Sequence, residues 1–272
     1  MPELPEVETV RLGLENLIPS GTSIESVERR HRSLREPIRP SELKKLSGQA
    51  LLGFRRRAKY LLWETDSLMV VSHLGMTGSW RLLEGEPGKH DHLLVYLKGG
   101  PILAYNDPRR FGIFRVLPKL DWEKAPYFSQ LGPEPLTENE FSPGYLFVRS
   151  RRKKVAVKPF LMDQRVVVGV GNIYASEALF RAGVKPTRAA GRITRRECAR
   201  IVEACRQVLG EALQAGGTTI RDFRQAGGGE GYFAQKLLVY GRGGESCSRC
   251  KNPIKQRVIG GRSSFWCPSC QK

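Results

Sequence analysis

The sequence predicts an α+β protein of several domains, in which an N-terminal helix and β-sandwich precede a helical domain and a terminal zinc ribbon. Seven short runs of strand-forming residues follow one another before residue 117 without a helical pattern between them, which favours a sandwich over alternating strands and helices. Beyond residue 136, apolar residues recur at helical spacing. Two Cys-x-x-Cys pairs close the chain. We therefore expect domains at residues 1–132, 133–240 and 241–272.

Charge is unevenly distributed along the 272 residues, whose net charge is +18. Residues 1–150 contain 21 Lys and Arg against 19 Asp and Glu, whereas residues 151–272 contain 24 against 8. This surplus favours a polyanionic partner, most simply a nucleic-acid backbone. The first residues carry carboxylates in place of a basic leader, and no apolar run approaches the length of about twenty residues that a membrane helix needs. We expect neither secretion nor a membrane span.

The chain begins Met-Pro, so removal of the methionine leaves Pro2 as a free secondary amine. A terminal amine with a pKa of about 8 is roughly one third unprotonated at pH ~7.5, against on the order of a thousandth for a lysine with a pKa of about 10.4. Glu3 and Glu6 lie one helical turn apart beside that nitrogen. Acidic residues and proline are also favoured in the first turn of any helix. These residues alone therefore leave a catalytic and a purely structural interpretation open.

The strands of the first domain are predicted at residues 22–28, 51–57, 60–64, 69–74, 93–97, 102–105 and 113–116. A basic cluster, Arg55 to Arg57 with Lys59, leads into the third of them. Such charge can simply protect an exposed sheet edge, or it can serve a nucleic-acid site. His92, at the start of the fifth strand, is expected to contact DNA.

Residues 72–78 and 106–112 are predicted to form loop tips, because glycine, proline and aspartate interrupt the strand pattern there. The first presents Met76, and the second presents Arg109 and Phe111. Apolar residues in loops often anchor the core. Beside arginines on a DNA-binding protein, they also suit wedges that enter the base stack.

A proline-rich stretch, residues 118–136, leads to the helical domain. Capping boxes at residues 137–140 and 194–197 predict helix starts. Cys198 and Cys205 lie on one face of the second helix and are expected to be reduced core residues. Asn172 lies where another helix would begin, where it can cap that helix or help to bind a phosphate. Residues 224–233 are rich enough in glycine to be mobile.

The four terminal cysteines have the spacing of a tetrahedral zinc site: Cys247 and Cys250, sixteen residues, then Cys267 and Cys270. Four thiolates saturate the metal and leave no position for water, so we expect one structural Zn²⁺. Disulfides are the weaker alternative, since cysteines in the cytoplasm stay reduced.

Segments spanning nearly the whole chain resemble the formamidopyrimidine-DNA glycosylases, a base-excision repair family. They are PELPEVET, RRAKYLL, SHLGMTG, NDPRRFG, GVGNIYASEALF and GGRSSFWC. The resemblance implies that Pro2 is the nucleophile, that Glu3 assists as general acid and base and that Glu6 supports the site. It also implies that Lys59 reaches the active site and its phosphates.

Further implied roles concern DNA. Residues 224–233 would close over the extruded base. The DNA-contacting residues would be Lys158, Asn172 in a helix-two-turn-helix motif, and Arg262 on the zinc hairpin. Met76, Arg109 and Phe111 would together fill the space that the extruded base leaves.

The implied activity is excision of oxidised purines, such as 8-oxoguanine, from damaged double-stranded DNA, followed by elimination of both flanking phosphates. We expect a monomer without a small-molecule cofactor, in the bacterial cytoplasm near the nucleoid. One alternative is an endonuclease VIII type of enzyme for oxidised pyrimidines, whose usual PEGPE start differs from this chain at Leu4. The other is a non-enzymatic zinc-ribbon DNA-binding protein, which leaves Pro2 and Glu3 without a purpose.

Overall fold

The computed structural model describes residues 2–137, 140–216 and 237–272. Residues 2–129 and 215–216 belong to one unit, and residues 130–214 and 237–272 belong to a second. The glycine-rich stretch 224–233 lies outside the described residues. The terminal ribbon therefore shares a unit with the helices before it, and the division into three domains stays a prediction.

The first unit opens with helix α1, Leu4–Leu17. Proline occupies its first turn, where the missing N–H needs no partner. Leu4, Val7, Val10 and Leu14 are each 0% exposed, and all but Leu4 are part of the main core cluster of this unit. The predicted N-terminal helix is therefore confirmed, and its buried apolar face fixes where the chain begins relative to the sheet.

Eight antiparallel strands follow in the order β5-β7-β6-β1-β2-β3-β4-β8. They are β1 Thr22–Arg29, β2 Ala50–Arg57, β3 Tyr60–Thr65, β4 Leu68–His73, β5 Ser79–Leu82, β6 Asp91–Leu97, β7 Ile102–Asn106 and β8 Ile113–Pro118. The seven predicted strands are confirmed, with ends that differ by at most two residues. Strand β5 has no prediction, because four residues with Trp80 alone buried are too short for an alternating pattern.

The predicted sandwich forms from one continuous sheet that folds back on itself. Strand β1 pairs with β2 and with β6, and its register shifts between Ile24 and Ser26. The ring of Trp80 in β5 lies 4.5 Å from that of Trp63 in β3, and its Nε1–H donates to Ser72 Oγ in β4 at 2.9 Å. The two halves of the sheet therefore face each other across the core, while α1 packs on β2 and β3 and a short helix α2, Pro40–Lys44, on β1.

The second unit contains four helices among its described residues: α3 Pro143–Ser150, α4 Val157–Met162, α5 Asn172–Ala182 and α6 Arg195–Gln214. The capping box before α6 is confirmed, since Thr194 N–H donates to Glu197 Oε2 at 2.8 Å and Glu197 N–H to Thr194 Oγ1 at 3.2 Å. The box predicted at residues 137–140 is wrong. The next helix starts at Pro143, where Ser142 Oγ accepts Tyr145 N–H at 3.1 Å, because serine followed by proline makes the better start.

Helices α5 and α6 pack against each other, and Cys198 and Cys205 are 0% exposed on α6. Burial raises the pKa of Cys198 to about 11 and that of Cys205 to about 12, so both are protonated thiols in the core, as predicted. Among the described residues, no helix has the combined length and apolar character needed to cross a bilayer.

Between the two cysteine pairs the chain forms a hairpin of β9, Lys255–Ile259, and β10, Arg262–Trp266. Gly260 and Gly261 form its two-residue turn with φ of 58° and 73°. Two successive positive φ values suit glycine and match the twist of a tight hairpin. The turn thereby places Arg262 at the first position of β10.

Candidate functional site

Pro2, Glu3 and Glu6 lie together at the start of α1. Pro2 is buried, and both glutamates are 2% exposed. Glu3 is the N-cap of α1, and its N–H donates to Glu6 Oε2 at 2.8 Å within a capping box. Glu6 therefore has a definite task, which is to fix the backbone next to Pro2. A chemical role of Pro2 and Glu3 stays a prediction.

Lys59 lies in the tight turn between β2 and β3 and is 3% exposed. The turn is tied to α1, since Arg56 Nε donates to Glu8 Oε2 at 2.9 Å while its Nη1 donates to the Ala58 carbonyl at 3.0 Å. Ala58 has a φ of 57°, which this clamp holds in place. The basic cluster thus contains one arginine that supports the turn from within and one buried lysine.

Met76, Arg109 and Phe111 come from two neighbouring loops, residues 74–78 and 107–112, which we call the paired loops. The Arg109 guanidinium lies 4.7 Å from the centre of the Phe111 ring. Phe111 is 41% exposed, Arg109 is exposed and Met76 is half-buried. The structure therefore brings the three predicted residues together. The Phe111 ring is left partly exposed at the surface, where it does not contribute to core packing.

A cavity of about 510 Å³ opens beside the second paired loop. It is lined by Ser33, Leu34, Arg35, Arg109, Arg110 and Phe111. Three arginines around one apolar ring suit an anionic ligand with a flat face. The cavity wall is fixed to the loop because Arg35 N–H donates to the Gly112 carbonyl at 3.0 Å.

Two histidines lie beneath the paired loops. His92 is 4% exposed, and its Nε2 lies 2.8 Å from the Asp107 carbonyl, which can only accept and so fixes the proton on Nε2. His73 accepts the Gly75 N–H at Nδ1 at 2.9 Å. Burial, with the nearby charges of Arg35 and Lys59, lowers the pKa of His73 to about 3. Both therefore support the loops as neutral rings, and a DNA contact by His92 stays a prediction.

In the second unit, Lys158 and Asn172 meet. The Lys158 ammonium, although its residue is 0% exposed, donates to Asn172 Oδ1 at 2.5 Å, Ser263 O at 2.9 Å and Ser264 Oγ at 2.7 Å. Three acceptors match the three donors of an ammonium. Asn172 is the first residue of α5 and Gly171 is its N-cap, so of the two alternatives for Asn172 capping is excluded and a DNA contact stays a prediction. Its side chain is instead oriented by the lysine.

Glu177 in α5 is fully buried, although nothing in the neighbouring sequence predicts a buried carboxylate there. Its carboxylate accepts the backbone N–H groups of Leu238, Val239 and Tyr240 at 2.8–2.9 Å. These donors saturate a charge that would otherwise be costly to bury. The glutamate thereby fixes the segment that enters the ribbon.

The ribbon brings the sulfurs of Cys247, Cys250, Cys267 and Cys270 within 4.8 Å of one another. A tetrahedral site with Zn–S bonds of about 2.3 Å separates its sulfurs by about 3.8 Å. The Cys250–Cys267 and Cys247–Cys270 separations are 3.3 and 3.9 Å. The donor set therefore fits one Zn²⁺ bound by four thiolates, with Arg262 exposed on the adjoining hairpin.

Family models match the chain in three consecutive parts. The formamidopyrimidine-DNA glycosylase N-terminal domain matches residues 1–114, and the helix-two-turn-helix domain of the same enzymes matches residues 131–224. The zinc finger found in these glycosylases and in isoleucyl-tRNA synthetases matches residues 244–272. The chain belongs to the formamidopyrimidine-DNA glycosylase family. The predicted family, fold class and zinc site are thereby confirmed.

Formamidopyrimidine-DNA glycosylases of similar length cover this chain from end to end. The enzymes of Thioalkalivibrio sulfidiphilus and Yersinia enterocolitica are each 50% identical, over 274 and 273 residues that cover all of both chains. The chain is thus a DNA glycosylase of base excision repair. This confirms the predicted enzyme class and excludes the alternative of a non-enzymatic DNA-binding protein.

Solved glycosylases of the family have the same fold. The MutM (Fpg) protein of Thermus thermophilus is 40% identical with a TM-score of 0.89, and the match covers 99% of this chain and 98% of that one. A Lactococcus lactis Fpg variant in complex with Fapy-dG-containing DNA is 35% identical with a TM-score of 0.91, covering all of both chains. Another Lactococcus lactis complex contains abasic-site DNA.

Several residues of the glycosylase with definite tasks escape the sequence patterns. Thr77 and Asp107 hold the paired loops, as described below, and Glu177 holds the ribbon. An aspartate before proline predicts only a turn, and a glutamate inside a helix predicts a solvated face. No local signal marks their burial, since Asp107 lies between Asn106 and Pro108 and Glu177 follows Ser176.

Proposed function

We propose that this glycosylase excises oxidised purines from duplex DNA and then cleaves the strand by β,δ-elimination. The observation that carries the proposal is the burial of Pro2 beside Glu3, with Glu6 fixing the backbone between them. An amine nucleophile next to a carboxylate provides both the attacking group and the proton carrier that the reaction needs. The enzyme acts as a monomer on damaged duplex DNA, in the bacterial cytoplasm with the nucleoid.

The reaction begins when the damaged nucleotide leaves the stack, because C1′ cannot be reached inside a duplex. After loss of Met1, the Pro2 lone pair forms a bond to C1′ while the bond from C1′ to the base breaks, and the base departs with that electron pair and with the proton that the Pro2 nitrogen releases. Ring opening gives an iminium, for which Glu3 supplies the proton at the sugar oxygen. Loss of a C2′ proton then expels the 3′ phosphate, a second elimination expels the 5′ phosphate, and water releases the sugar fragment from Pro2.

The paired loops complete the site by occupying the hole in the duplex. Met76 is unbranched and adapts to an irregular void, and Phe111 offers a flat wedge. Arg109 presents parallel donors that match the O2 and N3 acceptors of an orphaned cytosine, whereas adenine places a donor beside its acceptor. The enzyme therefore prefers lesions opposite cytosine.

The Lactococcus lactis relatives solved with Fapy-dG and abasic-site DNA support this substrate class. Another complex of that relative contains an oxidised pyrimidine, so a second candidate activity is excision of oxidised pyrimidines. Single-turnover rates on duplexes carrying 8-oxoguanine, Fapy-dG or an oxidised pyrimidine rank the lesions. We expect the two purine lesions to be removed faster.

Borohydride trapping tests the chemistry directly, because it reduces an iminium to a stable adduct. Protein shown by mass spectrometry to retain Met1 should form no adduct with 8-oxoguanine duplex, since its Pro2 nitrogen is an amide. Treatment of the same protein with methionine aminopeptidase is the matched control and should restore trapping. If protein with Met1 still cleaves and traps at the normal rate, Pro2 is not the nucleophile and Lys59 becomes the candidate.

A further inference from the structure

The two paired loops touch along their backbones at glycines. Gly75 has a φ of +66°, and a Cβ on it would collide with the carbonyl group of Phe111. A Cβ on Gly112 would collide with the Tyr105 hydroxyl. Neither position has room for a side chain, and at Gly75 the two loop backbones lie closer together than any other residue would allow.

A buried carboxylate crosses this junction. Asp107 is 0% exposed, and its Oδ1 accepts the Thr77 hydroxyl at 2.6 Å from the other loop. Its Oδ2 accepts the Gly112 N–H of its own loop at 2.8 Å. Thr77 Oγ1 in turn accepts the Arg109 N–H at 3.3 Å. Asp107 and Thr77 therefore link both loops on each side of the exposed tip.

The core supports this link from below. His92 Nε2–H donates to the Asp107 carbonyl, and the Arg110 N–H donates to the same carbonyl at 3.1 Å. His73 Nδ1 accepts the Gly75 N–H, and its carbonyl accepts the Tyr105 hydroxyl at 3.2 Å. The backbones of both loops thus have fixed positions. The side chains of Arg109 and Phe111 are exposed at the tip of the second loop, and Met76 is half-buried on the first.

From this arrangement we propose that Asp107 and Thr77 are positioning residues, which set the separation of Met76 and Phe111 so that both enter one hole in the duplex. The inference rests on the proposed function, since it assumes that these side chains act as wedges. Two wedges on separate loops can share one void only if their spacing is fixed before DNA arrives. A carboxylate with one donor from each loop fixes that spacing.

Loss of this link should affect removal of the base more than the cleavage of the strand that follows. Unstacking a base costs free energy that the wedges must supply, whereas an abasic site has no base to unstack. Misplacing a catalytic or positioning group by about 1 Å can slow a reaction on the order of a hundredfold. Loss of the link should therefore slow excision of 8-oxoguanine far more than cleavage at a preformed abasic site.

Thr77→Val tests the inference, because valine keeps the shape of threonine and removes the hydroxyl. We expect single-turnover excision of 8-oxoguanine to fall roughly tenfold to a hundredfold, with a much smaller loss on abasic-site duplex. Thr77→Ser keeps the hydroxyl and should recover most of the excision rate. Thr65→Val is the matched control, since Thr65 is also buried in the first unit and its hydroxyl bonds to Gln49 and the Leu68 carbonyl, away from the paired loops.

Thr65→Val should leave the ratio of excision to abasic-site cleavage at the wild-type value, even if it lowers the melting temperature. The inference is overturned if Thr77→Val lowers both reactions by the same factor or changes neither. A wild-type protein that neither excises 8-oxoguanine nor cleaves the abasic site would instead refute the proposed function. Fluorescence of 2-aminopurine beside the lesion gives a second readout, because only inserted wedges unstack it.

Discussion

Each unit exposes one arginine that the sequence assigns to DNA, but the two are supported by different chemistry. Arg109 lies on a loop held by close glycine contacts, a buried aspartate and neutral histidines. Arg262 lies on a hairpin held by the buried Lys158 ammonium and by four thiols placed for a metal. The first support consists of groups that the chain itself provides on folding. The second requires an ion from outside.

Because of this difference, the two units should respond to different conditions, namely acid and the removal of zinc. The paired loops should survive loss of zinc but respond to acid, because His73 accepts a hydrogen bond only as a neutral ring. The ribbon should fail when zinc is removed, because few apolar side chains are available to hold a short hairpin together. Five experiments test this difference between the two units.

Zinc removal should have the largest effect. Structural zinc contributes about 10–16 kcal/mol to folding in zinc-finger peptides, so chelation or Cys267→Ser should unfold the ribbon and abolish tight duplex binding. Near-ultraviolet circular dichroism of the Trp63–Trp80 pair should persist, because that pair belongs to the first unit. Cys198→Ser serves as the control and should keep one zinc per chain. Unchanged duplex binding after complete removal of a measured zinc would contradict the assignment.

Acid should destabilise the first unit through His73. Its pKa is about 3 when folded, against 6.5 for an ordinary histidine, so the unfolded chain takes up a proton first as the pH falls. The contribution of His73 to the free energy of unfolding is therefore fully present above pH 6.5. It is lost progressively towards pH 3, by about 5 kcal/mol in total at about 1.4 kcal/mol per pH unit. Tryptophan fluorescence during urea unfolding between pH 7 and pH 4 measures this slope.

His73→Asn provides the matched comparison, because its amide oxygen can accept the Gly75 N–H without titrating. We expect its free energy of unfolding to depend less on pH than that of the wild type. Equal slopes for both proteins would mean that the buried ring does not control the acid response.

Glu177→Gln should destabilise the second unit by about 2 kcal/mol, since a neutral amide replaces a carboxylate that accepts three backbone N–H groups. Thermal unfolding followed by far-ultraviolet circular dichroism measures the loss. Glu211→Gln weakens an ion pair with Arg181 whose carboxylate is exposed, and it should cost less than about 1 kcal/mol. If the two variants have the same melting temperature, the three hydrogen bonds from backbone N–H groups to Glu177 do not contribute more to stability than the ion pair does.

Arg109→Ala should reduce the preference for cytosine over adenine opposite 8-oxoguanine. A good bidentate pair discriminates by about 1–3 kcal/mol, which corresponds to roughly tenfold to a hundredfold in the ratio of single-turnover rates. Phe111→Ala, from the same loop, should slow excision opposite either base and keep the ratio. A slower Arg109→Ala enzyme with its full preference would show that this arginine binds DNA without reading it.

Arg262→Ala should have the smallest effect. Loss of one phosphate contact makes the dependence of log Kd on log salt shallower by about one and weakens binding to all sequences alike. Fluorescence anisotropy with undamaged and 8-oxoguanine duplexes measures both slopes. Arg257→Ala, on the facing strand of the same hairpin, tests whether the position of Arg262 is special. An unchanged slope for Arg262→Ala would place its side chain off the DNA backbone.

The amino-acid sequence was enough to predict the elements whose signals are local. Seven strands, α1 with Glu3 and Glu6 at its start, the box before α6 and the four-cysteine spacing each depend on residues close together in the chain, and the structure and family comparisons bear them out. Such patterns can be read because alternation, a capping box and a Cys-x-x-Cys pair each occupy one short segment, even where the segment then pairs with a distant one.

Which polar residues are buried, and which segments they hold, is visible only in the folded protein. Asp107 and Thr77 meet across 30 positions of sequence, Glu177 reaches residues about 60 positions further on, and Lys158 reaches Ser264 across 106. The same packing joined the strands into one sheet, and it placed Trp80 of the unexpected edge strand β5 in the core between the two halves of that sheet. Such contacts have no period or spacing, because a buried polar group is satisfied by whichever donor the fold brings to it.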